Sequence, residues 1–185
     1  ERRISEESII RELTLDLCHA LYFLHSKRVL HRDIKPHNVL IDARGHAKLC
    51  DFGFARTLGD RTQLLTSIKG TPLYMAPEQW RGEDVDQRAD LYAAGLILFE
   101  MLAGRSPLAG RDVSELMLQS TEEPPPQLHD VSPGIQVPED LANVLDLALA
   151  KPLDDRFQSA REMLAALENV RFDSPPARRS ARRSP

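Results

Sequence analysis

Two acidic elements joined by a short hairpin constrain this chain more than anything else in it. The stretch His31-Arg32-Asp33-Ile34-Lys35-Pro36-His37-Asn38 leads into an apolar run, Val39–Ile41, a turn over residues 42–46 and a second apolar run over 47–50. Asp51-Phe52-Gly53 follows, with Asp51 eighteen residues after Asp33. Folding the chain back at the hairpin is expected to bring Asp51 near Asn38 and Asp33. Two carboxylates and an amide oxygen, with Lys35 beside the first carboxylate, make a hard-oxygen site for a divalent cation next to a phosphate.

His-Arg-Asp followed by Lys35 and Asn38 resembles the catalytic loop of protein kinases, and Asp-Phe-Gly resembles their metal-binding motif. Gly70-Thr71-Pro72-Leu73-Tyr74-Met75-Ala76-Pro77-Glu78 is similar to the kinase segment that closes the activation loop and docks peptides. Singly, Asp33 could cap a turn, Lys35 could stand in solvent and Asn38 could hold an Asx turn. Three motifs in the right order at workable spacing outweigh those readings.

The resemblance assigns roles by position. It implies that Asp33 orients a substrate hydroxyl and takes its proton, while Lys35 neutralises the moving phosphoryl group. Asn38 and Asp51 would hold Mg2+ across the phosphates of ATP, and Leu40 would floor the adenine site. His31 and Phe52 would stack in a hydrophobic column. Asp90 would hydrogen-bond the backbone of the catalytic loop, and Arg156 would pair with Glu78. Lys35 and Thr71 together imply Ser/Thr rather than Tyr acceptors. Residues 54–69 read as a mobile loop, with phosphorylation expected at Ser67 or Thr66, by autophosphorylation among other routes, and Arg32 implied as the phosphate's partner. The back half looks most like bacterial Ser/Thr kinases, and residues 50–78 also look like eukaryotic kinases of the Fused type.

The remaining pattern is helical. Ser5 is a candidate N-cap for a helix carrying Ile10, Leu13, Leu17, Leu21 and Leu24 on one face and ending near Lys27. His25 is expected at the surface or as a cap. Residues 86–104 are apolar nearly all round, as in a buried helix, with Gly104 as its left-handed stop. Residues 112–120 suggest a short helix and 122–138 an extended Pro-rich connection. A further helix opens at Pro138, with Leu141, Val144, Leu145, Ala148 and Leu149 inward. The last opens at Ser159 with a capping-box match and an inner stripe of Met163, Leu164, Leu167 and Val170.

The fold class expected is a protein-kinase-like α+β fold, C-terminal lobe only: mostly α-helical, with a small β-hairpin carrying the catalytic loop. The large lobe is assigned to residues 1–172. The Pro-, Ser- and Arg-rich tail over 173–185 cannot bury a core and reads as disordered. Half of the nucleotide clamp of the family does not appear. The nine glycines contain no G-x-G-x-x-G, and the one lysine before the catalytic loop, Lys27, follows the first helix. With Glu1 at the start, the chain is expected to be a fragment, weak or inactive alone. A non-catalytic pseudokinase or scaffold is the alternative function, and a small-molecule kinase ranks third.

Bulk composition sets outer limits. A net charge of −4 gives no electrostatic case for nucleic acid, and no apolar run reaches the length of a membrane span. Cys18 and Cys50 read as buried thiols of a reducing compartment, not a disulfide. The expected location is cytoplasmic, or the cytoplasmic domain of a membrane-anchored kinase.

Overall fold

The computed structural model describes residues 6–53, 56–57, 72–125 and 127–171. Ser5, Thr66, Ser67, Thr71 and the tail over 173–185 lie outside the described residues. Helix α1 runs over Glu6–Ser26, and strand β1 over Val29–Leu30. The hairpin is β2, Val39–Ile41, against β3, Ala47–Leu49, and β4 is Arg56–Thr57. The back half is helical: α2 Pro77–Trp80, α3 Gln87–Ala103, α4 Val113–Thr121, α5 Leu128–Val131, α6 Glu139–Ala148 and α7 Ala160–Glu168.

Helix α3 is the axis on which the others pack. Asp86 accepts a hydrogen bond from Arg88 N at the start, and Gly104, at φ +71°, ends it. Leu91, Tyr92, Leu96, Leu98 and Phe99 are at most 1% exposed, so α3 has no solvent face along its middle. Each such side chain contributes about 1.5–3 kcal/mol of transfer free energy. Helices α1, α5 and α6 cover α3, and α7 closes over α1 and α6. The inward positions of α6 and α7 are all buried. Ser159 Oγ caps α7 through Glu162 N, but the Glu162 carboxylate accepts from Gln158 N rather than Ser159 N, so the capping box is shifted by one residue.

The hairpin is held against α1 by one carboxylate. Asp16 Oδ2 accepts from Ala47 N at 2.9 Å and from His46 Nδ1 at 3.0 Å. Its register is Val39 with Leu49, Leu40 with Lys48 and Ile41 with Ala47. Asp42 closes the turn by accepting from Arg44 N and His46 N, which hold its carboxyl below the ordinary range.

Three expectations need correcting. Residues 54–69 do not begin as a free loop: Arg56–Thr57 pairs antiparallel with β1, Val29 opposite Thr57 and Leu30 opposite Arg56. A two-residue bridge is too short to leave a periodic pattern, and it forms because the edge of β1 offers unpaired backbone groups. The connection over 122–138 contains one helical turn, α5, seeded by the burial of Leu128. Finally, only Cys18 is a fully buried thiol, pushed up to about 12 by that burial. Cys50 is half-buried and donates from Sγ to Asn38 O at 3.4 Å.

Candidate active site

The candidate site is a loop suspended from a buried helix terminus. Asp90, in the first turn of α3, is 1% exposed. Its Oδ2 accepts from His31 N at 3.0 Å and its Oδ1 from Arg32 N at 2.8 Å. Arg32 sits at φ +64° and Asp51 at φ +59°, both left-handed without being glycine. Such backbone costs of order 1–3 kcal/mol per residue and persists only where neighbours over-determine it. Asp90 supplies that constraint at Arg32.

His25 overturns its sequence expectation. Its side chain is 5% exposed, and Nε2–H donates to Asp90 Oδ2 at 2.9 Å. Asp90 therefore receives three donors, two from the loop backbone and one from α1, as a buried carboxylate requires. His25 Nδ1 is buried without a hydrogen-bond partner among the described residues. The partners are 65 residues apart, so no local pattern could announce the contact. The sole sequence signal is that His25 stands in the last turn of α1, directly ahead of the loop.

Within the loop the functional groups converge. Lys35 Nζ donates to Asp33 Oδ2 at 2.7 Å, and Asn38 Nδ2 donates to the same oxygen at 3.0 Å and to Asp33 O at 2.7 Å. A 3₁₀ turn over Pro36–Asn38 makes this approach possible, with Pro36 presetting its first residue. Asn38 is 4% exposed, whereas the side chains of Lys35 and Asp33 are 32% and 24% exposed. Asp33 is thus anchored through one oxygen in a loop open to solvent.

The second acidic element arrives through the hairpin. Cys50 N donates to Asn38 O at 2.9 Å, and His31 Nε2–H donates to Cys50 O at 3.1 Å. His31 Nδ1 accepts from Asp33 N at 3.3 Å, so the buried His31 ring bridges the two motifs. Asp51, the next residue, is exposed, and its Oδ1 accepts from Gly53 N at 3.1 Å. The Phe52 ring lies 5.2 Å from the His31 ring at an interplanar angle of 57°, yet Phe52 stays 49% exposed, so the pair touches without forming a buried column. Leu40 is 56% exposed on β2.

A buried ion pair lies beneath residues 72–80. Arg156 Nη1 donates to Glu78 Oε1 at 2.9 Å and Nη2 to Oε2 at 3.3 Å. The same guanidinium donates to the carbonyls of Ala150, Arg88 and Lys151 and stacks 4.9 Å from the centre of the Tyr92 ring. Tyr92, buried in α3, gives that cation a π face. Lys151, to which sequence reasoning gave no role, donates to the carbonyls of Gln119 and Ser120 at the end of α4. Gln79 Nε2 and Ser120 Oγ also reach carbonyls of distant segments, those of Arg32 and Met75, contacts that leave no local pattern in the sequence.

A sequence-family model described as protein kinase domain matches residues 1–167. The serine/threonine-protein kinase PknB of Mycobacterium leprae is 41% identical over 170 residues, covering 89% of this chain and 26% of the relative. A probable serine/threonine-protein kinase of Corynebacterium efficiens is 40% identical over 163 residues, covering 84% and 24%. The serine/threonine-protein kinase fused of Drosophila melanogaster is 50% identical over 111 residues, covering 60% and 14%. The chain spans about a quarter of the length of the two bacterial relatives. Taken with a family match that runs from the first helix to the last, the suspended loop and the buried Glu78–Arg156 pair make this chain a member of the protein kinase domain family.

Proposed function

We propose that this chain is the large lobe of a serine/threonine protein kinase that transfers the γ-phosphoryl group of ATP to Ser/Thr hydroxyls of protein substrates. The observation that carries the proposal is the shared anchoring of Asp33 Oδ2 by Lys35 and Asn38. That arrangement leaves Asp33 Oδ1 without a hydrogen bond among the described residues, free to orient an acceptor hydroxyl and take its proton. Lys35 places a positive charge beside the point of proton transfer. It offsets the negative charge that gathers on the transferring group, the larger task in phosphoryl transfer.

The donor set fits a hard cation. Among the described residues the Asn38 amide bonds through Nδ2 alone, which leaves its oxygen available, and Asp51 commits one of its two oxygens to Gly53 N. Asn38 and Asp51 would hold Mg2+, and Leu40 would meet the adenine ring. When bound, Mg2+-ATP supplies the phosphoryl group and the cation that neutralises its oxygens. Lys35 and Thr71 support Ser/Thr specificity, and the relatives' names support the same class. Phosphorylation at Ser67 or Thr66 and a cytoplasmic location belong to the same proposal, as does the expectation that these 185 residues alone transfer phosphate poorly. Orientation supplies about 7–11 kcal/mol of such a barrier, and a single lobe provides part of it. The intact Asp33, Lys35, Asn38 and Asp51 weigh against a pseudokinase or scaffold.

The test has two arms. In the full gene product, Asp33→Asn is expected to abolish transfer while Asp51→Asn removes Mn2+ binding seen by electron paramagnetic resonance. Unchanged transfer in Asp33→Asn would refute the assignment. Transfer at an ordinary kinase rate by the 185-residue chain would refute the one-lobe expectation.

A further inference from the structure

One peptide unit ahead of α2 is gripped at both ends by buried side chains. The carbonyl of Met75 accepts from Ser120 Oγ at 3.2 Å, and the N–H of Ala76 donates to Gln79 Oε1 at 2.9 Å. These are the two poles of a single planar amide, which point in opposite directions. Ser120 is 0% exposed and Gln79 6%. Partners on opposite sides fix the rotation of the plane, and with it the direction in which residues 72–75 leave α2. Tyr74 ties the same segment to α3 by donating from Oη to the Glu100 carboxylate.

Each gripping residue is itself held from elsewhere. Gln79 Nε2 donates to Arg32 O at 3.4 Å, one residue before Asp33 and on the residue strained to φ +64°. Capping α2 would need only the Oε1 bond; the Nε2 bond leaves the helix and reaches the catalytic loop. Ser120 lies at the end of α4, whose final carbonyls are taken by cations. Lys151 Nζ donates to Gln119 O at 2.9 Å and Ser120 O at 2.6 Å, and Arg81 Nη2 to Thr121 O at 2.7 Å.

We propose that Ser120 and Gln79 are positioning residues for the protein acceptor. They set the Met75–Ala76 peptide plane, and thereby the segment against which an acceptor chain docks, in register with Asp33. The inference rests on the kinase reading above. A group that acts this way is felt in acceptor binding and not in nucleotide binding, whereas plain structural damage is felt in both.

The experiment uses Ser120→Ala and Gln79→Met in the full gene product, with myelin basic protein as acceptor. Hydrogen exchange is followed in parallel at Ala76 and at Leu96 in the core of α3. Loss of one such hydrogen bond is expected to raise the acceptor KM about three- to tenfold, with the ATP KM within twofold. The Ala76 amide is expected to exchange about tenfold faster in Gln79→Met, while Leu96 is unchanged. An unchanged acceptor KM, a parallel rise in both KM values, or equal Ala76 exchange in wild type and Gln79→Met overturns the inference. No transfer by the wild type would instead strike the kinase reading beneath it, and the positioning role would fall with it.

Discussion

Removing the charge of Glu78 tests how much of this fold rests on one ion pair. The Arg156 side chain is 0% exposed and that of Glu78 2%, so neither charge can turn to water when its partner is lost. Glu78→Gln keeps the shape and leaves a buried guanidinium with three carbonyls and the Tyr92 face. Breaking such a pair by removing one partner costs about 3–5 kcal/mol. Against a total stability of about 5–15 kcal/mol that is a large fraction. At this chain length it corresponds to a fall in Tm of about 6–20 °C. Arg156→Met is expected to cost more, because it strands the carboxylate and also strips donors from the carbonyls of Ala150, Arg88 and Lys151. Trp80, the single tryptophan, is 6% exposed two residues from Glu78 and reports unfolding by fluorescence in urea. A loss below about 1 kcal/mol in Glu78→Gln, or a smaller loss in Arg156→Met than in Glu78→Gln, would refute the reasoning.

Three other perturbations follow from single contacts. A Cβ at Gly95 would stand 2.7 Å from Ala148 Cβ and 3.2 Å from Leu149 Cδ2, so Gly95→Ala is expected to cost about 1–3 kcal/mol in urea unfolding. Ala148→Gly on that background should recover part of it, and no loss in the single variant would count against the α3–α6 packing. His25→Leu removes one of the three donors to Asp90; about 1–3 kcal/mol should be lost, with faster exchange at the His31 and Arg32 amides, and unchanged exchange would dismiss the anchor. Burial, then the charge of Arg156, pulls the Lys151 ammonium down to about 8, with Glu123 and Arg81 the other charges facing it. Between that value and the ordinary lysine range near 10.4 the unfolded chain binds more protons, so stability rises with pH across the window. The stability of wild type relative to Lys151→Met should therefore grow from pH 8 to 10, and a flat difference would contradict the buried setting.

Much of the layout was legible because it is local or periodic. The buried length of α3 shows in an apolar stretch without a polar face, its stop in Gly104, and α6 and α7 in inward stripes that are all buried in the structure. The hairpin shows in two apolar runs around a turn whose Asp42 caps its own backbone. What escaped had no local signature. The β1–β4 bridge is two residues long, and α5 is a single turn. His25 reads as polar and exposed because hydropathy cannot see that a carboxylate 65 residues away will bury it.

By itself the sequence determined the helical stripes, the hairpin and the residue types gathered in the His31–Asn38 loop, since these depend on neighbours a few positions apart. Tertiary structure alone decided which distant groups meet: His25 with Asp90, Ser120 with the Met75 carbonyl, Gln79 Nε2 with the Arg32 carbonyl, Lys151 at the end of α4. The physical reason is that a buried polar group must find a partner, and packing chooses that partner from anywhere in the chain. Periodicity marks which side chains go inside, and only the folded core assigns the hydrogen bonds they make there.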